Sequence, residues 1–201
     1  MKINDLMIPN PITITEKASI TEAIELMKLN SIRHLPVVSP KKHICGFVTL
    51  ADLKQGIIPS MLGDLTLSDF MIRNPIMVAP DDDIEIAAQL IYKHKIGGMP
   101  VVKGNQLVGI ITESDILRAF IDMMGILTAS SRIDVEIGTE PSELQKAMRI
   151  INENGGDIVN VGMTAQKANN RVYYFRLSAC KTKTIQEALE NQGYQVLAAM
   201  D

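Results

Sequence analysis

The chain has 201 residues, of which 46% are hydrophobic and 21% charged, and its formal net charge is −3. This composition is typical of a soluble globular protein and excludes collagen, coiled coil and wholly disordered chains. No apolar run approaches the roughly 18 residues of a membrane span, and the first residues lack the apolar stretch of a signal peptide. We therefore expect a cytoplasmic protein with no membrane partner.

The residue types also limit the possible partners. The slightly acidic balance gives no basic surface for nucleic acid, and aromatic residues are only 4% of the chain. Cys45 and Cys180 match neither a disulfide scaffold nor a metal cluster, and no histidine has zinc-like spacing. We predict no nucleic-acid partner and no metal site, and we expect any bound nucleotide to lie between aliphatic side chains.

The first part of the chain contains an internal repeat. The segment Asp5-Leu-Met-Ile-Pro-Asn-Pro-Ile12 is similar to Asp69-Phe-Met-Ile-Arg-Asn-Pro-Ile76, and Gly46-Phe-Val-Thr-Leu-Ala-Asp52 is similar to Gly109-Ile-Ile-Thr-Glu-Ser-Asp115. Units of about 60 residues are too small to bury a core alone, so two should pack as one pseudo-symmetric domain. We assign the first repeat to residues 1–62 and the second to residues 63–125.

Each repeat predicts the same succession of elements. An Asn-Pro pair at positions 10–11 and 74–75 favours an extended opening, because the residue before proline avoids the helical region. A helix follows, capped by Ser19 or Thr21 in the first repeat and by Asp82 or Asp83 in the second. Two short strands come next, and a closing helix begins near Ala51 or Ser114. The strands are expected at residues 35–38 and 44–49, and at residues 99–102 and 107–112.

The junction between the last strand and the closing helix carries a Thr-x-x-Asp motif in both repeats. These are Thr49 with Asp52 and Thr112 with Asp115. Hydroxyls and free N–H groups at a helix start can hold phosphate oxygens, and a carboxylate accepts hydrogen bonds from ribose hydroxyls. The alternative is that Thr and Asp only cap the helix. Retention of both residues in both copies favours a binding site.

Taken together, these motifs resemble a tandem pair of cystathionine-β-synthase (CBS) domains. The resemblance covers about 120 residues and includes a hydrophobic-Pro-Val-Val strand in each copy, at Pro36 and Pro100. It implies a non-enzymatic regulatory module with two clefts between the repeats. The family ligands are adenosyl compounds, here AMP, ADP, ATP or S-adenosylmethionine, bound as regulatory ligands with no cofactor required.

The resemblance also implies which residues line each cleft. The first cleft would contain Thr112, Ser114 and Asp115 with Ile12, Ile32, Arg33, His34 and Pro36. The second cleft would contain Thr49, Ala51 and Asp52 with Ile76, Ile96, Gly97, Gly98 and Pro100.

The two clefts are not expected to be equivalent. The Arg33-His34 pair and two hydroxyls should make the first cleft bind phosphorylated nucleotide more tightly. The second cleft, with two glycines and Ala51, should prefer a less charged adenosyl ligand or stay empty. The alternative for Arg33 and His34 is a solvated surface pair.

Residues 126–131 are interpreted as a linker, and residues 132–201 do not match the repeats. Alternating patterns predict strands at 132–137, 158–161, 171–177 and 194–198, with a polar turn at 166–170. Helices are expected at 141–154 and from a Thr184 cap to residue 191. The order βαββαβ predicts a ferredoxin-like sandwich, so the whole chain belongs to the α+β class.

This last part is similar to the ACT domain, a small-molecule sensor that dimerises by joining sheets. That family has a glycine in the first strand-to-helix loop, where this chain has Glu140-Pro141-Ser142-Glu143. We therefore favour a homodimerisation role over amino-acid binding. Met148, Tyr173 and Phe175 are interpreted as core or sheet-interface residues.

A CBS pair followed by an ACT-like domain resembles the small accessory proteins of bacterial acetoin-utilization loci in architecture and length. The leading hypothesis is a sensor that passes a ligand-induced change to an unidentified protein target through a dimer. The alternatives are a scaffold with vestigial clefts and an enzyme. The chain has no GxSxG, P-loop or dinucleotide fingerprint, which opposes catalysis.

Overall fold

A computed structural model describes residues 1–60, 65–127, 130–164 and 170–201. The boundary expected between the repeats, part of the linker and nearly all of the polar turn at 166–170 lie outside these residues. The chain divides into two compact units, Met1–Leu117 and Arg118–Asp201. The first unit contains the first repeat and the second repeat as far as Leu117, which lies within the closing helix of that repeat.

The first unit contains two sets of similar elements in the predicted order. The first set comprises a 3-10 helix (Ile3–Asp5), β1 (Ile8–Pro9), α1 (Ile20–Leu29), β2 (His34–Val38), β3 (Ile44–Thr49) and α2 (Leu50–Ser60). The second set comprises α3 (Leu67–Phe70), α4 (Ile84–His94), β4 (Gly98–Lys103), β5 (Gln106–Thr112) and α5 (Glu113–Met123), whose last residues belong to the second unit. Each strand predicted in this unit is present, within one residue at either end.

The two caps predicted for α1 and α4 have different outcomes. Ser19 caps α1 as expected, since its Oγ accepts a hydrogen bond from the Glu22 N–H at 3.1 Å and the Glu22 carboxylate accepts one from the Ser19 N–H. Asp83 stands at the cap position of α4, but its side chain accepts no hydrogen bond from that helix. It forms an ion pair with Lys2 at 2.8 Å, and this long-range partner replaces the local one. Asp82 accepts from the Ala79 N–H instead.

The opening segment of each repeat crosses to the other repeat. Ile8 of β1 pairs with Ile110 of β5, and the equivalent Ile72 pairs with Phe47 of β3. Each segment then returns to its own repeat, where Ile14 and Val78 bridge to the first strand. The residues between these two pairings, including Ile12, are therefore held between the repeats.

Two glycines permit this crossing. A Cβ on Gly109 would lie 2.5 Å from the Met7 sulfur, and a Cβ on Gly46 would lie 2.5 Å from the Met71 sulfur. Glycine within a strand often marks such a close approach. The same contact in both repeats confirms their pseudo-symmetric packing.

The first repeat has a continuous apolar core. The helix α1 contributes Ile20, Ala23 and Met27, which fall at helical spacing and are almost fully buried. They pack with Leu35, Val37 and Val48 of the strands and with Leu53 of α2. Because Val48 of β3 and Leu53 of α2 both belong to this core, it holds the junction between the two elements at Thr49 in place.

The described residues of the second unit form the end of α5, one four-stranded antiparallel sheet and two further helices. Its elements are β6 (Ser130–Gly138), α6 (Pro141–Glu153), β7 (Ile158–Thr164), β8 (Asn170–Ser178), α7 (Lys183–Asn191) and β9 (Gln195–Met200). The strand order is β7-β8-β6-β9. Tyr173 and Phe175 lie in the core with Ala147 and Ile151 of α6 and with Ile185 and Leu189 of α7, and Met148 packs against its edge.

The cap predicted for α7 is wrong. The helix begins at Lys183, so Thr184 lies inside it and Thr182 occupies the cap position. Thr182 is buried, and both its N–H and its hydroxyl donate to Asp201 Oδ1, at 2.7 and 2.8 Å. A carboxylate far along the chain thus anchors the helix start, which no local pattern could indicate.

Candidate functional site

In both Thr-x-x-Asp motifs the aspartate accepts hydrogen bonds from the threonine at the start of the closing helix, α2 or α5. Asp115 Oδ2 accepts from the Thr112 N–H at 2.8 Å and from the Thr112 hydroxyl at 2.6 Å. Asp52 Oδ2 accepts from the Thr49 N–H at 3.2 Å and from the Thr49 hydroxyl at 2.7 Å. Both aspartates therefore bond at a helix start, while Oδ1 of Asp115 has no hydrogen-bond partner among the described residues.

The first cleft lies between the opening segment and β2 of the first repeat and the Thr112 junction of the second. It has a volume of about 290 Å³. The structure brings seven of the eight predicted residues together, while Pro36 is buried in β2 and does not line the cleft. The lining residues are Ile8, Pro11, Ile12, Ser31, Ile32, Arg33, His34, Ile110, Thr112, Ser114 and Asp115.

Sequence reasoning missed four residues of the first cleft. Ile110 precedes Thr112 by two positions on β5, so strand alternation alone places both side chains on one face. Ile8 enters through its pairing with Ile110 across the repeats. Pro11 and Ser31 directly precede Ile12 and Ile32, the two isoleucines that were predicted to line this cleft.

The second cleft is the pseudo-symmetric counterpart and has a volume of about 550 Å³. It contains Thr49, Ala51, Asp52, Ile96, Gly97 and Gly98 as predicted, whereas Ile76 and Pro100 do not line it. Phe47 and Ile72 take the places of Ile110 and Ile8. The lining also includes Arg33, His34, Leu50, Lys54, Lys95 and Glu113.

The charge difference expected between the clefts is absent, because Arg33 and His34 line both of them. Positions 33–34 and their repeat equivalents 97–98 meet one another, and a Cβ on Gly97 would lie 2.7 Å from His34 Nε2. Arg33 also lies 3.6 Å from the Glu113 carboxylate. Gly97 therefore makes room for the His34 ring, and the second cleft is not left without the basic pair.

His34 is held in a partly buried position between the clefts. Its ring stacks on Phe47 with 5.9 Å between ring centroids. Burial lowers the pKa of His34 and the nearby Arg33 charge lowers it further, while Glu113 and Asp52 act in the opposite direction. The imidazole is therefore neutral at pH 7 and offers hydrogen bonding without charge.

This environment makes the stability of the first unit depend on pH. Because the folded pKa lies below the ordinary value of about 6.5, the unfolded chain takes up the proton first as pH falls. We expect the melting temperature to fall below pH 6.5 and the His34→Gln variant to show a smaller fall between pH 7.5 and 5. Parallel melting curves for the two proteins would contradict this assignment.

The described residues contain no group of three or more His, Cys, Asp or Glu side chains placed to hold a metal ion. Within the same ranges, no helix has the length and apolar character needed to cross a membrane. Cys45 and Cys180 are free thiols and both are partly exposed.

The fold and the two clefts define a module built from two structural repeats. The chain belongs to the CBS domain family, whose model matches residues 3–58 and 67–122. These bounds correspond closely to the two sets of elements in the first unit.

Relatives with curated names share this module as one part of larger enzymes. A homoserine O-acetyltransferase of Methanocorpusculum labreanum is 40% identical over 114 residues, and an L-aspartate semialdehyde sulfurtransferase of Methanocaldococcus jannaschii is 31% identical over 119 residues. The matches cover 56% and 59% of this chain but only 23% of each enzyme. The similarity to these enzymes is thus limited to less than a quarter of their length.

Three solved structures are also similar to this chain over about 60% of its length. The putative acetoin utilization protein AcuB from Vibrio cholerae has a TM-score of 0.58 and 33% identity, covering 63% of this chain and 96% of that one. The CBS pair of protein MJ0100, solved with 5′-methylthioadenosine and S-adenosyl-L-methionine, has a TM-score of 0.56 and 30% identity over 60% and 95% of the two chains. CBSX2 in complex with AMP has a TM-score of 0.54 and 26% identity over 60% and 96%.

Proposed function

We propose that this protein is a non-enzymatic regulator that binds an adenosyl ligand, AMP, ADP, ATP or S-adenosylmethionine, between its CBS repeats. The observation that carries the proposal is the first cleft, where Asp115 and Thr112 lie beside four isoleucines in one cavity. The adenosyl ligands of MJ0100 and CBSX2 support the same ligand class. The ligand changes the equilibrium between two arrangements of the repeats by its differential affinity for them.

The first cleft can accommodate each part of such a ligand. Asp115 Oδ1 accepts from the ribose hydroxyls while Oδ2 keeps its cap bonds to Thr112. Ile12 and Ile32 enclose the adenine ring, in keeping with the low aromatic content. The phosphate lies near Ser114 and Arg33, where N–H groups at the start of α5 and a guanidinium favour an anion.

Thermal melting with AMP, ADP, ATP, S-adenosylmethionine and GTP tests the ligand class. A ligand that binds the folded state alone stabilises it by about 2.7 kcal/mol at one hundred times its dissociation constant. We expect at least one adenosyl ligand to raise the melting temperature in a saturable way and to exceed GTP. No shift with any of them would exclude the proposed function.

Arg33 should discriminate charged from uncharged ligands. The Arg33 side chain is exposed and forms only a 3.6 Å ion pair with Glu113. Its guanidinium can therefore turn from Glu113 toward a phosphate in the first cleft. We expect Arg33→Ala to weaken AMP binding about tenfold, since a hydrogen bond to a charged group contributes about 1.5 kcal/mol. Binding of 5′-methylthioadenosine, which has no phosphate, should change little in calorimetry.

Arg73→Ala is the matched control for this variant. Arg73 is an exposed arginine of the same unit that bonds to Ser68 and lines neither cleft. Its replacement should leave AMP binding unchanged. Equal loss of AMP and 5′-methylthioadenosine in the Arg33 variant would show that Arg33 acts on the fold and not on the phosphate.

We further propose that the second unit is an ACT-type ferredoxin-like domain that forms a cytoplasmic homodimer and transmits the signal to a protein target, with a role in acetoin utilization by analogy with AcuB. The support is its strand order and the apolar edge strand β7, where Val159, Val161 and Met163 are exposed. We expect Val161→Lys to shift the full chain from dimer to monomer in light scattering. A wild-type monomer would exclude the dimer.

A further inference from the structure

The second unit contains a cavity that none of the functions above uses. It has a volume of about 390 Å³, within the range of small-molecule sites. One wall is a row of polar residues on β6, β8 and β7 that alternate with core residues, and the other wall is formed by Met124 and Ile126. Asn160 fixes this second wall, because its amide donates to the Met123 carbonyl at 3.0 Å.

Two arginines face each other across this polar row. Arg132 of β6 and Arg176 of β8 are directly opposite in the strand register, an arrangement that is unfavourable for like charges. Arg132 is compensated by a bidentate pair with Asp134, at 2.7 and 2.6 Å, and Asp134 is only 6% exposed. Arg176 is half-buried and donates to the Ser130 hydroxyl at 3.2 Å, without a carboxylate partner among the described residues.

The lining of the cavity indicates the chemistry of a ligand. One uncompensated guanidinium favours an anion, and the planar fork of arginine matches a carboxylate. Met124, Ile126 and Met163 offer contact to an apolar group. No acidic side chain among the described residues lines the cavity, so the site has no charged partner for the ammonium of an amino acid.

We propose that this cavity binds a small carboxylic acid with a short apolar chain. The carboxylate lies between Arg176 and Arg132, and the apolar chain packs against Met124 and Ile126. The second unit thereby gains a ligand of its own, different in chemistry from the adenosyl compounds of the clefts.

Melting and calorimetry of the full chain with 3-methylbutyrate, acetate, leucine and inorganic phosphate test this site. We expect 3-methylbutyrate to bind saturably and at least tenfold more tightly than the other three. Only this compound combines a branched apolar chain with a carboxylate and has no ammonium group. Equal binding of phosphate would show a general anion site, and equal binding of leucine would show an amino-acid site. Either result would overturn the proposal.

Variants of two arginines on β8 locate the ligand. Arg176→Gln should weaken 3-methylbutyrate binding at least tenfold. Arg171 is exposed and lies outside the cavity, so Arg171→Gln should leave this binding unchanged. The ligand-free melting temperature of Arg176→Gln should not fall, because the variant removes one of two positive charges that face each other across β6 and β8. Arg176→Lys, which keeps the charge without the fork, should show intermediate affinity. Unchanged binding in Arg176→Gln would overturn the site.

Discussion

Asp115→Ala is expected to weaken AMP binding to the first cleft about a hundredfold or more. The variant removes a carboxylate that accepts two ribose hydroxyls, and each such bond contributes about 1.5 kcal/mol or more. It also removes the side-chain contact at the start of α5, because Oδ2 accepts hydrogen bonds from both the Thr112 N–H and the Thr112 hydroxyl. We therefore expect a loss of about 1 kcal/mol in stability in addition to the loss of binding.

Asp69→Ala separates these two effects. Asp69 makes the same two contacts with Thr66, accepting from its N–H at 2.9 Å and from its hydroxyl at 3.2 Å, but it lines neither cleft. Both variants should lose similar stability, and only Asp115→Ala should lose affinity in calorimetry. If Asp115→Ala binds AMP as tightly as Asp69→Ala does, the motif serves only as a helix cap.

Leu177→Ala is expected to destabilise the second unit by about 2–5 kcal/mol. Its side chain is fully buried, at 0% exposure, in the core formed by the sheet, α6 and α7. The loss combines the transfer free energy of the removed atoms with the cavity that they leave. In calorimetric unfolding, the transition of the second unit should move to lower temperature.

Leu197→Ala provides a matched control in the same sheet. Leu197 is 48% exposed, so the same chemical change should cost well under half as much. AMP binding should be unchanged in both variants, because neither residue belongs to the unit that holds the clefts. A similar effect of the two substitutions on unfolding would contradict the assigned core.

Much of the fold could be predicted from local patterns. The repeat, the order of its elements and the Ser19 cap depend on residues close in sequence, and the structure contains all of them. Distant side chains decide how α4 and α7 begin, so the cap position of α7 and the missing hydrogen bond of Asp83 could not be predicted. Lys2 takes Asp83 away from its helix, and Asp201 holds Thr182 in place.

The candidate site could be predicted in part for the same reason. Thr112, Asp115 and Ile12 follow from motif and repeat, and they line one cleft. The sharing of Arg33 and His34 between clefts depends on how repeat-equivalent positions meet, which no spacing within one repeat reveals. Lys54 reaches the second cleft from α2 and Lys95 from the turn after α4, and neither residue belongs to a motif.

A crystal structure of the full chain grown with AMP would show whether the nucleotide binds in the first cleft. We expect the nucleotide in the first cleft, with its ribose hydroxyls within hydrogen-bond distance of Asp115 Oδ1 and its base between Ile12 and Ile32. The Thr112 bonds to Asp115 Oδ2 should persist alongside it. Density for AMP away from this cleft, or an Asp115 that contacts only its own helix start, would contradict the proposed adenosyl site.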